Sequence, residues 1–575
     1  MAFQVSPGVN VSEIDLTTVI PSVSTSTGAV AGPFLWGPVD VVRQVSDETQ
    51  LVSVFGKPNT ATYGTFFTAA NFLAYANDLR VVRAANSSTY TAYAGANTAD
   101  TAYDGESIQI GNEDDYELNH FSALGNTAFA ARYPGDLGNS LKVSVWANTT
   151  VAMSTWMYGS LFDKAPATSN FVATNFKSDA NDELHIVVVD EDGKFTGTPN
   201  TVLERFSNLS KSTNAKDDSG QSLYYKDYLL RNSKYVYWTG QPLDVSGNDD
   251  TWDVAANSTY TFPEMASTSN SFSLVGGTYI APTNAEIIAA YDKLKNAETV
   301  DISLVMTANH DQTVALDVIN NLADARKDCV AFVSPALANV QAADATTAVV
   351  NYRKNALANV AKSYAVMDGN WKYQYDKYND AYRWVPLNGD IAGLCARTDT
   401  DRDPWFSPAG VTRGQIKNVI KLAWNPTKAN RDELYKNDVN PVVSFAGEGT
   451  ILYGDKTLLG RPSAFDRINV RRLFITLEKS ISRAARSSLF EFNDEFTRAQ
   501  FVNLVEPFLR LVQGRRGIYD YRVVCDETNN TPEVIDSNSF VGDIYVKPAK
   551  SINFIQLNFV AVRTGVSFEE VVGRF

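Results

Sequence analysis

Along the first stretch of chain, "SPGVNVSEIDLTTVI" (6–20), apolar and polar positions alternate. Val9 and Val11 fall on one side of an extended chain and Asn10 and Ser12 on the other, which is the period of a strand. The stretch holds too few apolar residues to fold alone, and a lone strand leaves its N–H and C=O groups unpaired. Residues 23–90 read as a compact unit. "STGAVAGPFLWGPVDVVRQV" predicts two strands broken at Gly32, Pro33, Gly37 and Pro38. Phe66, Ala69, Ala70, Leu73 and Ala76 recur at helical spacing, and "LRVVRAAN" returns to a strand. Residues 91–284 are rich in Thr, Asn, Ser, Asp and Tyr, with short strands between turns. "LHIVVVDEDGKFTGT" predicts a hairpin around Asp192 and Gly193, and "YPGDLGNSLKVSVWAN" a turn feeding a strand. From about 285 helices and strands alternate: "NAEIIAAYDKLKN", "VDISLVMTA", "QTVALDVINNLADARKD" and "CVAFVSP". The last third reads strand–helix–helix–strand, with Asn493 or Asp494 capping the second helix and Pro507 expected to bend or break it.

The pattern predicts an α+β or α/β multidomain chain: a discontinuous core, a β-rich insertion and extended arms at both ends. The expected division is an N-terminal arm at 1–22, a middle α/β domain from 23–90 plus 285–440, an inserted β-rich domain at 91–284, a C-terminal α/β domain at 441–564 and a C-terminal arm at 565–575. A length of 575 residues agrees with several cores. The net charge of −15 sits mostly between 91 and 280, where 24 acidic residues face 11 basic ones, and reads as a solubilising surface. Such a chain is not expected to track a nucleic-acid backbone. No charged segment followed by an apolar one marks a signal peptide, and no apolar run is long enough to span a bilayer. Three cysteines, Cys329, Cys395 and Cys525, lack disulfide or zinc spacing and fit reduced, buried thiols folded in a cytoplasm.

No catalytic, cofactor or metal residue is predicted. His120, His185 and His310 lie far apart without ligand spacing, and no nucleophile elbow or HExxH appears. In "GTILYGDKT" (449–457) Asp455 separates Gly454 from Lys456, which breaks a phosphate-loop pattern and leaves a tight turn. Asp399, Asp401 and Asp403 have calcium-loop spacing, but Pro404 and Gly410 stand where Gly and Glu belong, so a solvated loop or a salt-bridge site is expected. One constellation is sharper. On the helix around 470–488, Val470, Leu473, Phe474, Leu477, Ile481 and Ala484 share one face. Arg472, Lys479, Arg483 and Arg486 lie within about 60° of each other on the opposite one. This is either an ordinary solvated face or, since aligned bases without carboxylate partners repel, a face that meets an acidic surface. The C-terminal "VSFEEVVGRF" repeats the situation of the N-terminal arm. Both ends are either frayed or add strands to a neighbour's sheet.

"SPGVNVSEID", "GAVAGPFLWGPVD", "NFLAYANDLRVVRA", "DGNWKYQYDKYNDAYRWVPLNGDIAGLCARTD", "SPAGVTRGQIKNVIKLA", "LYGDKT", "FDRINVRRLF" and "YRVVCDETNNTPEVID" together resemble the tail sheath protein of contractile-tailed bacteriophages. The similarity covers roughly 1–90 and 285–575; the insertion matches mainly at "YPGDLGN". The resemblance implies a structural virion protein, assembled in the host cytoplasm, that is not an enzyme and needs no cofactor. It implies stacked hexameric rings around a tail tube, which contract on host contact and drive the tube through the envelope to deliver the genome. The implied partners are other sheath subunits, the tail tube protein, baseplate proteins and the tail terminator at the neck, with no nucleic acid and no membrane insertion. By the same resemblance, Val9, Val11, Glu13, Ile14, Val566, Phe568 and Val571 belong to inter-subunit arm strands, the insertion faces outward, and Arg472, Lys479, Arg483 and Arg486 face the tube. The competing reading is a tail-associated protein whose insertion binds or cuts a glycan through Trp146, Trp156 and Trp238, for which core packing is the ordinary fate. An inner tube protein is a third reading, disfavoured by the size and the two arms.

Overall fold

A computed structural model describes residues 24–95, 108–121, 127–240, 252–265, 267 and 270–553. The arm residues Val9, Val11, Glu13, Ile14, Val566, Phe568 and Val571 lie outside the described residues. The described chain divides into two compact units, one of 24–404 with 408–482, the other of 405–407 with 483–553.

The first unit is entered through β1 (Gly28–Pro33), β2 (Val42–Val45) and β3 (Leu79–Ala84). The chain then leaves for the insertion, with β4 (Tyr93–Gly95), β5 (Thr127–Ala131), β6 (Leu141–Trp146), β7 (Glu183–Asp190), β8 (Thr201–Ser210), β9 (Val236–Trp238) and β10 (Ser271–Ser273). It returns through β11 (Leu304–Met306), β12 (Val330–Val333) and β13 (Ala365–Met367). Six of these strands form one sheet in the order β13-β12-β11-β1-β3-β2, parallel except for the edge strand β2. Thus β1 pairs on one side with a strand that precedes the insertion and on the other with one that follows it. The insertion builds its own antiparallel sheets, β10-β6-β7-β8 and β4-β5-β9.

The central strands are apolar on both faces, as a sheet covered on both sides requires. Ala29, Ala31, Val82, Val305 and Ala331 face a layer that includes Ile287 and Tyr291 of helix 284–292 and Ile319 and Leu322. Val30, Val81, Leu304, Met306 and Phe332 face the opposite layer, with Phe66 and Phe72 of α1 (Tyr63–Leu73) and Ile391 and Leu394 of α2 (Asn388–Asp401). Val442, Leu452, Ile468 and Ile475 join that same layer. Residues 441–482 thus belong to the same compact unit as the central sheet.

Helices α1 and α2 approach closely because α2 carries glycine at the contact. A Cβ on Gly389 would lie 2.4 Å from the Thr68 carbonyl oxygen, a backbone atom that cannot swing aside. Helix propensity alone favours alanine there by up to about 1 kcal/mol. Overpacking reverses the sign, and we expect Gly389→Ala to lower stability by about 1–3 kcal/mol. Urea unfolding of the variant checks this; a gain in stability would show that the helices can separate at no cost.

The predicted hairpin forms between β7 and β8, but with a connection of residues 191–200 rather than a two-residue turn. The buried Asp190 carboxylate organises it, accepting from the N–H groups of Phe195 (3.1 Å) and Thr196 (2.8 Å). The other strands of this unit are β14 (Trp371–Asp376), β15 (Ala381–Pro386) and β16 (Lys421–Leu422), in one small sheet, and the hairpin β17 (Val442–Phe445) with β18 (Gly449–Leu452).

Helix α3 (Ile468–Ala485) ends the first unit, and α4 (Glu495–Gly514) dominates the second. Asp494 caps α4, its carboxylate accepting from the Thr497 N–H at 2.8 Å. Of the bend or break expected at Pro507, the break does not occur: α4 runs through it as one helix. Phe501, Val505, Leu509 and Val512, all buried, hold the same face on both sides of the proline. The unit closes with an antiparallel ribbon of β19 (Ile518–Val524) and β20 (Asp543–Pro548), with α4 packed on β19.

Candidate assembly surfaces

The basic face of α3 is the first candidate, and the structure corrects it. Val470, Leu473 and Leu477 are buried as expected, but so are Arg471, Arg472, Ile475, Thr476 and Ser480, because α3 is enclosed on several sides over its first turns. Arg472 is 3% exposed. Its guanidinium pairs with Asp399 at 2.5 Å and donates to the carbonyls of Cys395 and Thr25, each at 3.2 Å. Lys479 donates to Asp301 at 2.9 Å, to the Ile302 carbonyl at 2.7 Å and to Ser303 Oγ at 3.0 Å. Both residues are internal ion-pair partners and neither offers a free charge to another molecule. The stripe is reduced to Arg483 and Arg486, which are exposed. Asp399 shows the salt-bridge outcome expected for "DTDRDP". Burial pushes its carboxyl above the usual range, and Arg472 pulls against that shift.

The second candidate is the β19–β20 ribbon. Tyr521 faces Val546 and Val523 faces Ile544 across the ladder, and a bulge falls between Ile518 and Asp520. Among the described residues each strand has one partner only, and the outer side of each carries no further ladder there. Such an edge is a template for a further strand, and natural proteins leave it open where another chain adds to it. Tyr519 and Tyr545 stand out from the ribbon, exposed. Large apolar side chains also gather in the turn before α4: Leu489, Phe490, Phe492 and Phe496 are all exposed, with Phe490 in the left-handed region at φ 70°. A concentration of this kind marks a surface that meets a partner. Sequence reasoning did not single out this turn, although "SSLFEFNDEF" interleaves its aromatics with polar residues in a way no buried helix face requires.

The residues weighed for chemistry have structural roles. His310 is half-buried, its Nε2 2.8 Å from the Ala31 carbonyl, and desolvation pushes its pKa down to about 4. His185 is buried against the Lys164 carbonyl. In the 449–457 turn, Lys456 donates to the Tyr435 carbonyl at 2.8 Å and pairs with Asp438 at 3.3 Å. No group of three His, Cys, Asp or Glu side chains could hold a metal ion among the described residues. Trp146, Trp156 and Trp238 are buried, the core packing expected as their ordinary fate, and Trp238 packs on Phe129 and Tyr225. Among the described residues no helix is long and apolar enough to cross a membrane.

A two-stranded ribbon and a cluster of exposed aromatics in the same unit are the features expected of a protein that assembles with others. Comparison with known proteins gives that class its family. Three family models match: the phage tail sheath protein central domain at 281–458, the phage tail sheath C-terminal domain at 461–561, and the tail sheath protein Gp18 domain III N-terminal region at 25–84. The tail sheath protein of Vibrio phage KVP40 is 35% identical, and that of Enterobacteria phage T4 33%, each alignment covering 99% of both chains. The fold is similar to that of the sheath tail protein from Listeria innocua, with a TM-score of 0.53 at 12% identity over 92% of this chain and 96% of the other. The chain belongs to the phage tail sheath protein family. It is a subunit of the contractile sheath on a phage tail.

Proposed function

We propose that this subunit polymerises as stacked hexameric rings around a tail tube and contracts to drive the tube through the host envelope. The observation that carries this reading is the match to phage tail sheath proteins over the whole chain, joined by the β19–β20 ribbon, whose strands have one partner each among the described residues. In the proposal, strands around Val9, Val11, Glu13 and Ile14 and around Val566, Phe568 and Val571 add to such ribbons of neighbouring subunits. Head-to-tail addition of this kind propagates a helical lattice instead of closing into a dimer. The insertion, built on its own sheets, is the outward-facing domain, and Arg483 and Arg486 face the tube. The partners are other sheath subunits, the tube, the baseplate and the terminator at the neck. The role is structural, with no catalysis, no cofactor and no nucleic-acid partner. Energy is held by kinetic trapping of the extended lattice and released as domain contacts are exchanged.

Negative-stain microscopy of the purified protein tests the class: tubes or rings are expected, and a chain that stays monomeric at every concentration, with or without tube protein, removes it. The tube contact has its own test. Exposed ion pairs are weak and salt-screened, so R483E/R486E should lower co-sedimentation with tubes at low salt several-fold and leave little difference at high salt. Equal binding at both salt concentrations would return the two arginines to an ordinary solvated surface.

A further inference from the structure

The two bases withdrawn from the stripe have another task. The chain enters the first unit through residues 24–27, ahead of β1, and distant side chains hold this short stretch. Thr25 Oγ1 donates to Asp399 at 2.6 Å, while Arg472 donates both to the same carboxylate and to the Thr25 carbonyl. Ser303 Oγ donates to the Ser24 carbonyl at 3.1 Å and accepts from Lys479 at 3.0 Å. The Thr27 carbonyl accepts from the backbone N–H groups of Ser303 (2.9 Å) and Leu304 (3.1 Å), and Thr27 Oγ1 donates to Asp78 at 2.8 Å.

We propose that Arg472, Asp399 and Lys479 form an anchor that ties the root of the N-terminal segment to helices α2 and α3, so that tension arriving through residues 1–23 in an assembled sheath passes into these helices and not into the edge of β1. The tension rests on the proposed arm pairing; the anchor itself rests only on described contacts. Three observations carry it. Ser24 and Thr25 lie upstream of the first strand and of the backbone hydrogen bonds that begin at Thr27, Ser24 exposed and Thr25 half-buried. The holding groups, by contrast, are a buried guanidinium and a buried carboxylate, a pair whose desolvation commonly cancels its attraction, so net stability is a poor reason for its presence. What a buried Arg–Asp pair does supply is direction. The planar guanidinium fork reaches Asp399, the Cys395 carbonyl and the Thr25 carbonyl together, fixing α2, α3 and the chain entry in one geometry. Lys479, two turns further along α3, repeats the arrangement through Ser303.

The test uses the full-length chain. R472L/D399L removes both charges and strands neither; Thr25→Val removes one hydroxyl. Amide hydrogen exchange across residues 24–28 and polymerisation by sedimentation are read in each. The expected result is a wild-type unfolding midpoint, exchange at 24–28 at least tenfold faster in the double variant and about threefold faster in Thr25→Val, and fewer, shorter polymers in the same order. Unchanged exchange at 24–28 in folded protein overturns the anchor, and so does a loosened root with wild-type polymers. Should the double variant fail to fold, Thr25→Val alone decides by the same two readouts. Failure of the arm pairing is recognised separately, by normal polymers from a chain lacking residues 1–15, since the exchange measurement reads the anchor in the monomer.

Discussion

Deleting residues 1–15 should leave a soluble, folded chain that no longer polymerises. The described elements of the first unit all begin after them: β1 starts at Gly28, the hydrophobic layers on either side of the central sheet begin with Ala29 and Val30, and the contacts at 24–27 are all retained. The unfolding midpoint should therefore stay at the wild-type value. Assembly is another matter. A strand of six residues added to an open edge makes several backbone hydrogen bonds, each worth about 0.5–1.5 kcal/mol net. A loss of roughly 4–5 kcal/mol per contact lowers the association constant by about three decades, and every subunit in a lattice loses it at once. Sedimentation and negative-stain images read the outcome directly. Sheaths of normal length from the deleted chain would end the arm reading and leave the open β19–β20 edges unexplained.

The second large effect is on stability. Lys372 of β14 and Asp390 of α2 form an ion pair at 2.8 Å with both side chains wholly inaccessible. The Tyr75 hydroxyl also donates to Asp390, at 3.0 Å, and Lys372 donates to the Lys417 carbonyl at 3.0 Å. Burial pushes the Asp390 carboxyl up and the Lys372 ammonium down, so each charge is held in place mainly by the other. Asp390→Ala strands the lysine and should cost about 3–5 kcal/mol. K372M/D390L removes both charges at similar volume and should recover most of that loss. Denaturant unfolding of the wild type, Asp390→Ala and the double variant compares a stranded lysine with the removal of both charges. If the double variant is as unstable as the single one, the pair contributes through its hydrogen-bond network and not through charge balance.

Local order was largely legible in the chain. The apolar runs "GAVAGP" and "LRVVRA", the helical spacing from Phe66 to Leu73 and the cap at Asp494 all correspond to observed elements, because each depends on neighbours close in the chain. Legible too was the change of composition after residue 90; the strands between 93 and 273 form sheets separate from the one shared by the segments before and after them. The continuity of α4 through Pro507 was not. Its anchor residues lie on both sides of the proline and gain their hold only from the packing around them.

The α3 stripe separates the two kinds of information most clearly. By itself the sequence determined that Arg472, Lys479, Arg483 and Arg486 share one side of a helix, since 100° per residue is a property of the backbone. It also determined the family, through long motifs on both sides of the insertion. Only the tertiary structure decided which of the four bases meet solvent. The carboxylate that takes Arg472 lies 73 residues away in the chain, and the one that takes Lys479 lies 178 residues away. Periodicity records the polarity of a surface; what covers that surface depends on which distant segments the fold brings against it.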